Sequence, residues 1–138
     1  MLTNEQLKAI MPSSTEENRQ KYLPFLNKYM GEYGIDTPHR QAQFLAQIGH
    51  ESVQLRYSRE IASGAAYEGR KDLGNTELGD GVCFKGRGLI QITGRSNYKQ
   101  ISDEWGIDFI SNPELLEQPE YAVKSACWWY KKNVLNKL

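Results

Sequence analysis

The sequence predicts a mainly α domain with a loop-rich, glycine-rich centre. Apolar residues recur at three- and four-residue steps before residue 52 and again after residue 97, behind recognisable helix-start signals. Between Ser63 and Gly94, by contrast, there are eight glycines and little helical period. No internal repeat, low-complexity tract or linker divides the chain, and 138 residues suffice for one core.

The first helix signal is Ser13-Ser14-Thr15, which offers capping hydroxyls, followed by Glu16 and Glu17 at the positive end of the helix dipole. Tyr22, Phe25, Leu26, Tyr29, Met30 and Tyr33 then mark one buried face. Pro24 within that run predicts a kink or a restart, and Gly31 and Gly34 an end. Asp36-Thr37-Pro38 opens a second helix, with a capping side chain just before a first-turn proline. Its expected stripe is Ala42, Leu45, Ala46 and Gly49, with Phe44 and Ile48 beside it, running to about Ser52. Leu89-Ile90-Gln91-Ile92-Thr93, bounded by Gly88 and Gly94, reads as a strand or an extended segment. Helical spacing returns with Tyr98, Ile101 and Trp105, closed by Gly106 as C-cap. Asn112-Pro113 opens a short helical turn, and Pro119 a last helix through Ala122, Ala126 and Trp129.

Composition excludes several classes. Hydrophobic residues at 39% and charged residues at 25% set the chain among soluble globular proteins rather than disordered ones. Seventeen basic residues balance seventeen acidic ones, which argues against a dedicated nucleic-acid binder. No apolar run approaches the ~20 residues of a membrane span. The start, Met1 to Gln6, lacks the basic-then-apolar pattern of a secretory signal, so action outside the cytoplasm would need another carrier. From Val53 to Ser102 eight basic residues face five acidic ones, a mild excess that suits either an anionic polymer or a solvated surface. Cys83 and Cys127 fit no zinc pattern and read as two buried, reduced thiols, with a disulfide as the alternative if the fold brings their Cα atoms to about 4.4–6.8 Å.

The chemistry-bearing residues begin with Gly49-His50-Glu51-Ser52. A zinc-protease helix would need a second histidine four positions after the first, and that position is Gln54. Glu51, near a helix C-terminus, reads instead as a proton donor: partial burial and the negative end of the dipole would both disfavour its charged form. The competing reading is a surface glutamate in a salt bridge. Glu60 lies nine residues on, which an unbroken helix would turn away from Glu51. If the helix stops near Ser52, both carboxylates flank one cleft, with Arg56 and Arg59 keeping Glu60 ionised as a base. An acid and a base across a groove are what glycoside hydrolysis uses. Gln91 and Thr93 alternate to one side of the expected extended segment, with Asn97 just beyond. Neutral polar groups of this kind suit sugar hydroxyls, acetamides or a held water. A phosphate loop is excluded, because no Gly-Lys-Ser or Gly-Lys-Thr ending is present.

Gly49-His50-Glu51-Ser52, Arg59-Glu60, Tyr67 to Asn75 and Lys85 to Arg95, in that order, resemble glycoside hydrolase family 19, and most of all its bacterial and phage endolysin branch. The resemblance runs from about Thr37 to the C-terminus. It implies a lysozyme-like helical fold with a deep cleft, and hydrolysis of β-1,4-linked N-acetylated sugar polymers with inversion. By position, Glu51 matches the general acid and Glu60 the general base. Thr93 matches the residue that helps hold the nucleophilic water. Gln91 and Asn97 match substrate contacts, and His50 the histidine that precedes the acid. An inverting pair is expected to stand about 6.5–9.5 Å apart to admit that water. The family usually continues past Ala126-Cys127-Trp128-Trp129-Tyr130 into further helices, so a single domain over residues 1–138, truncated or short at its C-terminal side, is expected.

The implied activity is that of a peptidoglycan glycan-strand hydrolase of endolysin or muramidase type. A chitinase, or a glycan-binding module without turnover, is the alternative. No cofactor or metal is expected. The expected partner is a polysaccharide, peptidoglycan or chitin, with no nucleic acid and no membrane insertion, and the chain is expected to be monomeric. Such a protein is made in the cytoplasm and reaches the cell wall through a holin or a secretion machine.

Overall fold

The structure, a computed structural model, describes residues 1–137. It holds six α-helices: α1 (Asn4–Ile10), α2 (Glu16–Glu32), α3 (Pro38–Glu51), α4 (Asp80–Cys83), α5 (Arg95–Trp105) and α6 (Pro119–Asn133). Single 3-10 turns add Ala65–Tyr67, Lys71–Leu73, Pro113–Glu117 and Leu135–Lys137. The mainly α expectation therefore holds.

Helix starts follow the capping logic. Thr3 forms a reciprocal box with Gln6 at α1, while the hydroxyls of Thr15 and Thr37 accept the amides of Asn18 and Arg40. Pro38 occupies the first turn of α3, and Gly106 closes α5 in the left-handed conformation. Of the expected kink or restart, the restart does not occur: α2 is a single helix through Pro24. Pro24 and Gln20, whose carbonyl it deprives of a donor, both lie on the exposed side, where water replaces the lost N–H.

The core forms where α2 packs along α6. Tyr22, Leu26, Tyr29 and Met30 are buried on one helix, and Ala122, Val123, Ala126, Cys127 and Tyr130 on the other. At one end the Tyr29 hydroxyl donates to Glu120 at 2.8 Å. Phe44 of α3 meets Tyr130 edge-on at 5.2 Å. The buried arc of α3 is Phe44, Leu45, Ile48 and Gly49, while Ala42 and Ala46 are exposed. The expected stripe is thus rotated, because burying Phe44 and Ile48 removes far more apolar area from water than burying two alanine methyls.

Leu89 to Thr93 is neither a strand nor extended. Arg87 and Ile92 exchange backbone hydrogen bonds of 3.0 and 2.8 Å, so the chain reverses between them, with Gln91 at φ 63°. Leu89, Ile90 and Ile92 all enter the core. The apolar run records burial of a turn rather than sheet pairing. This reversal sits on α6: the Leu89 amide donates to the Ala122 carbonyl at 3.2 Å, and a Cβ on Gly88 would lie 2.7 Å from the Ser125 hydroxyl.

Both cysteines are free. Cys127 is buried, which pushes its thiol upward, whereas Cys83 is exposed, so the expectation of two buried thiols holds for Cys127 alone. Among the described residues no helix is long and apolar enough to cross a membrane.

Candidate active site

Glu51 is the last residue of α3 and is exposed. The partial burial expected of it is absent, because position 51 lies beyond the last core-packed turn and faces an open cleft. Its place at the negative end of the helix dipole is as expected.

The chain then turns back sharply. Val53, Gln54 and Leu55 have φ of 52°, 54° and 68°, three consecutive side-chain-bearing residues in the left-handed region. Each costs roughly 1–2 kcal/mol. Buried Ser52 holds the turn: its hydroxyl donates to the Ile48 carbonyl at 2.6 Å and accepts the Leu55 amide at 2.9 Å. Gln54 ties it to the loop after α1, accepting the Ser13 amide at 2.6 Å. Through this reversal Glu60 comes back to the cleft that Glu51 faces, which an extended helix would forbid.

The strain is measurable at Val53, which is 53% exposed and so buries little. Val53→Asn, placing a residue that tolerates left-handed backbone, is expected to stabilise the fold by about 1 kcal/mol and raise the thermal midpoint by about 3 °C. Calorimetry checks this; an unchanged or lower midpoint would show that the turn carries no such strain.

Glu60 is seated from two sides. Its amide donates to the Gly86 carbonyl at 2.9 Å, and the Gly86 amide donates back to Oε1 at 2.6 Å. The Tyr67 hydroxyl donates to Oε2 at 3.1 Å. The expected arginine partners are not the ones used. Arg56 stacks over the Tyr57 ring at 5.1 Å, Arg59 is exposed, and neither pairs with the Glu60 carboxylate. Three other basic residues of the centre are neutralised locally, in Arg70–Asp72, Arg87–Glu117 and Arg95–Asp80 pairs.

Gln91 and Thr93 converge as expected, though through the turn rather than along a strand. Both crowd Gly86, where a Cβ would lie 2.7 Å from Gln91 Oε1 and 3.3 Å from Thr93 Oγ1. Only glycine lets these two side chains and Glu60 gather at one backbone position. The Thr93 hydroxyl donates to the Gln91 carbonyl at 3.0 Å, and Asn97 Nδ2 donates to the Thr93 carbonyl at 2.9 Å.

A cleft of about 180 Å³ brings together Glu51, Glu60 and Gln91 with Tyr57 and Arg59. Exposed Val53 and Ile61 form its apolar rim. Thr93 and Asn97 do not line this cleft directly; Thr93 adjoins it beside Gln91 and Gly86, and Asn97 holds the Thr93 carbonyl. His50 is not brought to the cleft: it lines a groove with Ile10, Met11 and Gln54, about 100° round the helix from Glu51. Sequence reasoning missed Tyr67 and Gly86, which lie inside quoted motifs but reveal their task only through hydrogen bonds spanning 7 and 26 residues. Among the described residues no group of three His, Cys, Asp or Glu side chains is placed to hold a metal ion.

No family model matches the chain. A Haemophilus influenzae protein described as containing a glycosyl hydrolase family 19 domain is 31% identical over 123 residues, covering 67% of this chain and 61% of that protein. An Arabidopsis thaliana endochitinase is 29% identical over 124 residues, covering 89% and 43% respectively. The chain therefore spans between two-fifths and three-fifths of the length of these relatives. Among solved structures, the family 19 class IV chitinase from Zea mays superposes with a TM-score of 0.73 at 22% identity, covering 98% of this chain and 72% of that one. Chitinase C from Streptomyces griseus gives 0.70 at 24% identity, covering 93% and 53%. The fold shared with these proteins is lysozyme-like and helical.

Proposed function

Because the chain belongs to glycoside hydrolase family 19, we propose that it cleaves β-1,4 bonds of peptidoglycan glycan strands by an inverting acid–base reaction. The observation that carries this reading is the meeting of Glu51 and Glu60 in one cleft, across a reversal after α3 that the chain maintains at a cost in backbone strain. Glu51 protonates the glycosidic oxygen as the C1–O bond breaks. Water attacks C1 from the opposite face and gives its proton to Glu60. The exposure of Glu51 lets solvent reprotonate it after each turnover.

Gln91 offers an amide to the sugar, and the Thr93 hydroxyl, already donating to the Gln91 carbonyl, has lone pairs for the water's other hydrogen. Asn97 supports Thr93 by holding its carbonyl. His50, standing off the cleft, meets substrate only where the polymer extends towards α1. An acid–base reaction of this kind uses no cofactor, and a monomer suffices for it. Peptidoglycan lies outside the cytoplasmic membrane, so the proposed place of action is the cell wall, reached through a holin or a secretion machine.

The resemblance of the Tyr67–Asn75 and Lys85–Arg95 motifs to the bacterial and phage endolysin branch is the ground for preferring murein. The endochitinase relatives favour chitin as the second reading. Incubating the protein separately with purified murein and with N-acetylglucosamine oligomers, and assaying reducing ends, separates them. Release from murein is expected; release from the oligomers alone selects the chitinase. Binding to insoluble murein without new reducing ends from either would leave a glycan-binding module.

A further inference from the structure

We infer that Tyr67 is a positioning residue of this site, its hydroxyl fixing the rotation of the Glu60 carboxylate so that a free lone pair faces the attacking water. The inference rests on the reading of Glu60 as the base. A glutamate side chain turns about three bonds, and ordering it costs up to ~2 kcal/mol. The Gly86 amide anchors one carboxylate oxygen at 2.6 Å, but a single anchor leaves the group free to swing about that oxygen. The Tyr67 hydroxyl, 3.1 Å from the other oxygen, removes that freedom. Each oxygen then has one lone pair engaged by the protein and one left over.

Tyr67 is suited to this because its own place is set without its hydroxyl. Its backbone amide donates to the Gly64 carbonyl at 3.0 Å, and its carbonyl accepts from Nδ2 of buried Asn75 at 2.9 Å. Asn75 is locked in turn, accepting the Arg95 amide at 2.9 Å, while Arg95 grips Asp80 through two bonds of 2.8 Å. Gly64 stands at φ 89° beneath this turn, and a Cβ there would collide with the Gly81 carbonyl and the Lys85 side chain. Burial and the neighbouring Glu60 push the phenol's acidity away from neutral pH, so the hydroxyl keeps its proton and always donates. The ring does not line the cleft, so it acts through Glu60 and not on the sugar.

The test is Tyr67→Phe, which deletes one hydroxyl and leaves the ring, the Gly64 and Asn75 contacts and the cleft walls in place. On whichever polymer the wild type cleaves, kcat is expected to fall by roughly 10-fold or more, the worth of a hydrogen bond to a charged group, with KM unchanged and the protein still folded at the assay temperature. In a Glu60→Gln background the same substitution is expected to cause no further loss, because its effect runs through Glu60. A Tyr67→Phe protein with wild-type kcat overturns the inference and leaves the hydrolase reading intact. So does a Tyr67→Phe loss that multiplies fully with that of Glu60→Gln. A wild-type protein that releases reducing ends from neither polymer overturns both.

Discussion

Glu51→Gln is expected to yield a folded protein that cleaves glycan at least ~100-fold more slowly than the wild type. The amide keeps the size and planarity of the carboxyl but has no acidic proton to give to the glycosidic oxygen. The loss should be purely chemical, because Glu51 makes no hydrogen bond or ion pair among the described residues and lies outside the core. Helix α3 ends at this position, so the change removes a negative charge from the negative end of the dipole and does not weaken the helix. Lysis of chloroform-permeabilised Gram-negative cells, alongside reducing-end release from murein and circular dichroism, measures the effect. Equal rates for a folded variant and the wild type would assign the proton donor to another group.

Arg87→Met is expected to cost about 3–5 kcal/mol of stability, because it removes a buried guanidinium from a partly buried carboxylate and from two further acceptors at once. The guanidinium donates to Glu117 at 2.8 Å, to the Cys83 carbonyl at 2.6 Å and to the Tyr98 hydroxyl at 3.1 Å. These three partners come from different segments, so one side chain ties the reversal at 87–92 to α4, α5 and the turn before α6. Methionine fills similar space but leaves the Glu117 carboxylate and the Cys83 carbonyl without their donor. Thermal melting should show a midpoint lower by roughly 10–15 °C for a chain of this length. A fall of less than about 1 kcal/mol would mean that apolar packing of Leu89, Ile90 and Ile92 holds the reversal unaided. Arg87 also lies between Gly86 and Gly88, so the surviving folded fraction should have a looser seat for Glu60.

The helices were legible wherever the signal is local. Thr15, Thr37-Pro38 and Gly106 act within a turn of their own positions, and apolar spacing reports which face is buried. Legibility fell away where an outcome depends on distant chain. Gln91 lies in an apolar, partly β-branched run that suits a strand, yet packing against α6 makes it the left-handed corner of a turn. Residue type and motif mark Glu51 and Glu60, but the two share a cleft only if the chain breaks after α3. The break comes from Ser52 and from three residues whose left-handed backbone no propensity favours. Arginines close in sequence suggested themselves as partners of Glu60, whereas the partners present are an amide 26 residues away and a phenol seven residues away. Hydrogen bonds of that reach leave no periodic trace in a sequence.

The pairing of α2 with α6 has a kinetic side. It joins segments about ninety residues apart, as the Tyr29–Glu120 bond illustrates, so this helical protein folds under the loop-closure burden more familiar in sheet proteins. The turn that carries Gln91 rests on Ala122 and Ser125, within α6 itself. On the ribosome, therefore, the cleft has no floor until the stretch that becomes α6 has left the exit tunnel, and Glu51 and Glu60 wait for that helix although both are made about sixty residues before it.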